Sequence, residues 1–248
     1  MSAEPNKNIT YIKPQDGFQM KCLSTTADVA FFGGAAGCGK TTLLLLEAVR
    51  HVGNPNFRCV TFRRESTQIT NAGSIWDASK NLYIQLPPNH VPNMTMPKSA
   101  PTHSFPSGAM ITFNHLNQEK DVLNWQGSEI PLIQFDELTH FEESQFWYML
   151  SRNRSTSGVK PYVRATMNPQ GEGWVKDMIE WYLYPDDYEN ENLAGYPILE
   201  RSGVLRYFTR YSNTLIWGND KQEVLRQLPD SEQEHYTENE IKSFTFIP

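Results

Sequence analysis

The chain has 248 residues, 39% apolar and 20% charged, with 15 glycines and 16 prolines that follow no period. This is globular composition at a length that buries a sizeable core, and it excludes collagen-like, low-complexity and disordered classes. The net charge is −6: residues 1–124 hold 11 basic and 8 acidic side chains (net +3), residues 125–248 hold 11 and 20 (net −9), so the chain lacks the signature of a generic nucleic-acid coat, nucleic-acid binding stays open, and the acidic half reads as a solvated face. Residues 1–17, with Pro5, Pro14 and Gly17, read as an extended lead-in. Residues 28–32 form a short apolar run that stops at Gly33-Gly34, a buried strand entering a tight turn. Residues 40–51 are good helix formers at helical length. A second strand is expected at 59–62, and partial helix over 67–86. Residues 87–108 carry six prolines and read as a loop. Strands follow at 109–113 and 131–135, a helix at 144–150, a strand at 162–167 closed by Asn168-Pro169, and a helix at 173–183. Further strands are expected at 204–211 and 243–247, with a helix at 221–228 between them. Strands alternating with helices predict an α/β fold with a mainly parallel sheet covered on both faces.

Cys22, Cys38 and Cys59 make no C-x-x-C pair, which favours a reducing compartment over a disulfide or zinc framework. The N-terminus lacks a signal-peptide pattern, and no apolar run nears the ~20 residues of a membrane span, so a soluble intracellular protein is expected.

The strongest chemical signal is Gly34-Ala35-Ala36-Gly37-Cys38-Gly39-Lys40-Thr41, which matches G-x-x-x-x-G-K-[ST] between an expected strand and an expected helix. Glycines let successive N–H groups turn inward as an anion nest, and the following helix adds its positive end. Lys40 is expected on the β- and γ-phosphates of ATP, the Thr41 hydroxyl on Mg²⁺, and Thr42 within the binding loop. The second signal is the apolar run 131–135 ending in Asp136-Glu137. Asp136 would hold Mg²⁺ and Glu137 would act as general base on water, with Glu142 and Glu143 as lesser rivals. Between Lys40 and Asp136 lie two short βα units, including the 59–62 strand. That spacing favours the branch of P-loop NTPases with a strand inserted between the two site strands (ASCE type), and disfavours small-molecule kinases. Thr166 and Asn168, at a strand's end, are candidates for sensing the γ-phosphate. Gln19, beside Phe18, is placed to read adenine N6 and N7, with Gln15 as the alternative.

Assembled in this order, these residues resemble the N-terminal ATPase domain of the terminase large subunit of tailed bacteriophages. The resemblance runs over nearly the whole chain, 1–248, with 1–27 as the adenine-side lead-in. It includes Phe62-Arg63-Arg64, Trp125-Gln126-Gly127-Ser128-Glu129 before Phe135-Asp136-Glu137, Leu150-Ser151-Arg152-Asn153-Arg154, Thr166-Met167-Asn168-Pro169, and Arg206-Tyr207-Phe208. It implies an ATPase that drives double-stranded DNA into a procapsid. It also implies a homo-oligomeric ring, a pentamer, docked on the portal protein, with a small terminase subunit choosing the DNA. The site of work would be the host cytoplasm, transiently at the portal. In that family a nuclease domain follows the ATPase domain; no nuclease site is assigned to this chain, and the natural protein is expected to continue beyond Pro248. Many relatives carry an arginine inside the phosphate loop where this chain has Ala36. A neighbouring subunit's arginine is therefore expected on the γ-phosphate, from Arg63 or Arg64, then Arg152 or Arg154. Lys7, Lys13, Lys80, Lys98 and Lys120 are dispersed, so no DNA-gripping stripe is legible. Two other readings share parts of the site: another nucleic-acid-dependent P-loop ATPase, helicase-like or recombinase-like, and a nucleotide-binding module without turnover. Intact Lys40, Thr41, Asp136 and Glu137 argue against the last.

Overall fold

The computed structural model describes residues 12–35, 37–96, 100–168, 172–233 and 235–248. Ala36, Lys7, Lys98 and Pro169 lie outside them. In chain order the elements are α1 (Phe18–Ser24), β1 (Val29–Phe32), α2 (Lys40–Ala48), β2 (Arg58–Arg63), α3 (Thr67–Thr70), α4 (Ile75–Tyr83), β3 (Asn93–Thr95), β4 (Thr102–Ser104) and β5 (Met110–His115). There follow β6 (Leu132–Phe135), α5 (Glu143–Arg152), β7 (Tyr162–Thr166), α6 (Trp174–Ile179), β8 (Arg206–Tyr211), β9 (Thr214–Gly218), α7 (Lys221–Gln227), α8 (Asp230–Gln233) and β10 (Lys242–Ile247). No described helix is long and apolar enough to cross a membrane.

All ten strands join one sheet in the order β3-β4-β5-β2-β6-β7-β1-β10-β8-β9. The six central strands, from β5 to β10 in that order, run parallel, and antiparallel strands flank them at both ends. The expected mainly parallel α/β sheet is therefore what the chain forms. Every residue of β1, β6 and β7 is buried, as strands covered on both faces must be. The strand between β1 and β6 is β7, whereas β2, the 59–62 strand, lies on the far side of β6.

Several segments depart from expectation, among them the short helices α1 and α8, which the sequence did not announce. The proline-rich stretch 87–108 holds β3 and β4, because its prolines sit just outside the short strands and spare their N–H groups. β9 was not expected; it is folded back on β8 by Ser212 and Asn213, both at positive φ (48° and 65°), the geometry of a two-residue hairpin. Glu119–Trp125 forms a 3-10 helix that no apolar period announced. The 67–86 helix divides into α3 and α4 at the turn containing Gly73.

The core on the α5/α6 face is aromatic. Phe31 of β1 meets Phe244 of β10, Phe146 of α5 and Trp174 of α6 edge-on, with centroids 5.0, 5.7 and 6.5 Å away. On the opposite face, Gln134 of β6 is fully buried. Its amide donates to the Leu44 carbonyl of α2 (2.9 Å) and accepts from the Thr61 hydroxyl of β2 (2.7 Å). This polar bolt sets where the helix after the phosphate loop lies on the sheet.

Phe31→Ala is expected to cost about 3–5 kcal/mol of unfolding free energy in a urea titration, since it opens a cavity among three packed rings. His103 of β4 is fully buried, 2.7 Å from the Ser79 hydroxyl. Burial pushes its imidazole down to about 4. The unfolded chain then binds the proton that the folded chain refuses, so stability falls as pH drops from about 6.5 to about 4 and levels off below. The expected loss is about 3 kcal/mol, and His103→Gln should flatten that part of the pH–stability curve.

Candidate active site

The phosphate loop begins where β1 ends. The Gly33 N–H donates to the Ile247 carbonyl (2.8 Å), which ties the loop's root to β10. Gly34 (φ 118°) and Gly39 (φ 83°) occupy backbone conformations that L side chains avoid. A Cβ at Gly34 would lie 2.8 Å from the Cys38 sulfur, and one at Gly39 2.5 Å from Gln19 Nε2. Gly39 is the N-cap of α2 and supplies no side chain, so the helix's first N–H groups face the loop as an anion cradle. The Lys40 ammonium bends over the loop: it donates to the carbonyls of Gly34 (2.5 Å) and Ala35 (3.0 Å) and to Asn168 Oδ1 (2.8 Å).

Opposite stand the two carboxylates at the end of β6. Asp136 is buried, and its Oδ1 accepts from the Thr166 hydroxyl at 2.6 Å. The Glu137 N–H donates to the same Thr166 oxygen at 3.2 Å. Glu137 takes a left-handed conformation (φ 64°, ψ 60°), uncommon for a residue with a Cβ and sited where strain serves function. Arg63, at the end of β2, bridges both carboxylates: one Nη lies 2.7 Å from Asp136 Oδ2, the other 2.8 Å from Glu137 Oε2. His140 Nδ1 lies 3.3 Å from Glu137 Oε2. Gly37, Gly39, Lys40, Thr41, Thr42, Asp136, Glu137 and Asn168 line one cleft of about 310 Å³.

The structure thus brings the loop, Lys40, Thr41, Thr42, Asp136, Glu137 and Asn168 together. Thr166 lies behind the carboxylates, fully buried, while Asn168 reaches Lys40. Gln19 is buried with both polar ends used: Nε2 donates to the Gly39 carbonyl (3.1 Å) and Oε1 accepts from the Gln15 N–H (2.8 Å). It braces the loop from beneath, and Gln15 is the exposed amide beside it. Arg63 sits in its own chain's site. Arg64 donates to Gln145 Oε1 at 2.6 Å, also within its own chain. Glu142 caps α5 and Glu143 accepts from the Trp147 indole (2.7 Å), so neither faces the cleft. Sequence reasoning missed the clasp made by Arg63 and the contact made by His140. The latter had one signal, a histidine three residues after Glu137 between apolar Leu138 and Phe141.

The family description "Terminase large subunit, T4likevirus-type, N-terminal" matches residues 31–242. The chain belongs to this terminase family. The large terminase of a thermophilic bacteriophage has a similar fold, with TM-score 0.52 and 19% identity over 73% of this chain and 45% of that one. The same phage protein in complex with ADP gives TM-score 0.51 and 18% identity over 73% of this chain and 44% of that one. The ATPase domain of the Thermus phage P74-26 large terminase gives TM-score 0.50 and 12% identity, covering 75% of this terminase chain and 76% of the Thermus phage domain. This terminase chain therefore spans less than half the length of the first of these proteins. No curated protein matches it.

Arg63→Ala would leave the Asp136 carboxylate of this terminase chain buried without its guanidinium. A loss of about 3 kcal/mol of unfolding free energy is expected. Adding Asp136→Asn should recover more than half of it, measured in a double-mutant denaturation cycle.

Proposed function

We propose that this chain is the ATP-hydrolysing motor domain of a terminase large subunit that drives double-stranded DNA into a procapsid. The supporting observation is the cleft in which Lys40 and the α2 N-terminus face Asp136 and Glu137, with Asn168 touching Lys40 from just beyond the end of β7. ATP is the substrate this arrangement fits. Its phosphates would accept from the loop N–H groups and from Lys40, replacing the Gly34 and Ala35 carbonyls as partners of the ammonium.

Mg²⁺ fits the donor set. Asp136 is a buried carboxylate already facing a cation, the Arg63 guanidinium, and Thr41 adds a hydroxyl on the same cleft. When bound, the ion neutralises charge on the β- and γ-phosphates. Glu137 orients the attacking water and takes its proton. Thr166 fixes the Asp136 carboxylate and the Glu137 backbone from behind, and Asn168 links the Lys40 contact to β7. Phosphate loss would thereby reach β7, whose displacement changes the grip on DNA.

Arg63 and Arg64 are paired with carboxylates of their own chain, whereas among the described residues Arg152 and Arg154 pair with none, so Arg152 and Arg154 are the arginines proposed to complete a neighbour's site. Assembly as a homo-oligomeric ring, a pentamer on the portal protein with a small terminase subunit, belongs to this reading. So does work in the host cytoplasm at the procapsid.

The test is steady-state ATP hydrolysis by the chain and by Glu137→Gln, with and without duplex DNA. Turnover should fall at least ~100-fold in the variant while nucleotide binding persists, and duplex DNA should stimulate the unmutated chain. Equal turnover in both proteins would remove Glu137 from the base role.

A further inference from the structure

We propose that His140 is the positioning residue of Glu137, holding its carboxylate toward the cleft independently of Arg63. The inference rests on the ATPase reading above. Its starting point is local geometry. Glu137 caps a single 3-10 turn, Leu138–His140, and the His140 N–H donates to the Glu137 carbonyl at 3.0 Å. The turn that follows brings the imidazole back beside the glutamate carboxylate. The Nδ1–Oε2 distance is 3.3 Å.

The turn cannot slide. Leu138 is fully buried, and Phe141, just past the turn, is 3% exposed and packs edge-on against Phe135 of β6, with centroids 5.1 Å apart. Two buried apolar side chains bracket the histidine and deliver it to one place. The left-handed backbone at Glu137 is what turns the chain into this geometry.

The two partners of the Glu137 carboxylate differ in what else they touch. Arg63 divides its guanidinium between Asp136 and Glu137. A cation taken up by Asp136 competes with Arg63 for that carboxylate and repels the guanidinium, which disturbs its bridge to Glu137 as well. His140 touches Glu137 and not Asp136, so its contact survives that competition. A base whose sole support were Arg63 would lose its aim when the site loads. His140 also stands at the rim, about two-fifths exposed, so its ring is open to observation from solution.

Two readouts test this. In nucleotide-free protein, the His140 ring resonances, identified by their loss in His140→Gln, should shift on Glu137→Gln while those of buried His103 stay fixed. In turnover, His140→Ala should lower kcat about tenfold with the KM for ATP unchanged within about twofold, and His140→Gln, which can still donate, should restore most of kcat. His140→Ala with wild-type kcat, or His140 resonances that ignore Glu137→Gln, would overturn the proposal. If the unmutated chain hydrolyses ATP and Glu137→Gln does not, the ATPase reading stands whatever His140 does. If the unmutated chain never hydrolyses ATP, both fall together.

Discussion

The hydroxyl of Thr166 donates to Asp136 at 2.6 Å and receives the Glu137 N–H at 3.2 Å. One buried oxygen therefore fixes a carboxylate and a backbone turn on the neighbouring strand. The rest of the site depends on it. Without the bond to Asp136 a charged group would sit buried with one partner fewer, and without the bond from Glu137 the left-handed turn would lose its brace. Because β7 lies between β1 and β6, this contact also sets the distance from the carboxylates to the phosphate loop. Asn168, two residues further along, closes the triangle by meeting Lys40.

A set of buried amides extends the same logic outward. Gln134 fastens α2 to β6 and β2, and Gln19 fastens the loop to the lead-in helix. Gln145 donates to the Leu116 and Gln118 carbonyls and accepts from Arg64. Each joins separate pieces of chain with one side chain. Amides suit this work because they carry donors and acceptor without a charge to desolvate. The cleft thus inherits its rigidity from neutral polar joints, while its charges remain available for chemistry.

The parallel core, the phosphate loop and the two carboxylates were legible because each writes a strong local pattern. β1 is uniformly apolar and β6 is so but for Gln134, β7 alternates Val163 and Ala165 with Arg164 and Thr166, and the loop's glycines are demanded by backbone geometry. β3, β4 and β9 were not legible. They are three to five residues long, lie at the sheet's ends, and owe their existence to a neighbour's edge rather than to their own period. Gln19 stood at the expected place but turned inward, since a short helix at 18–24 aims it at Gly39 rather than at solvent. The clasp of Arg63 on Asp136 and Glu137 joins residues more than ~70 apart in the chain, and only the β2–β6 pairing, Phe62 opposite Phe135, reveals it.

That pairing logic has a counterpart at the other flank of β1. The Asp28 N–H donates to the Ser243 hydroxyl, and the Ser243 N–H returns a bond to the Asp28 carboxylate, both at 2.9 Å across 215 residues. β10 is thus the last strand of the described chain to be made and one of the two that cradle the loop-bearing strand. While the polypeptide is still leaving the ribosome, β1 has an open edge, and the root of the loop has no Ile247 carbonyl to bind. Closure of β10 beside β1 consequently completes both the sheet around the loop-bearing strand and the anchor of the loop's root. A chain still lacking β10 therefore carries the glycine-rich loop's sequence but not the braced root that holds its shape.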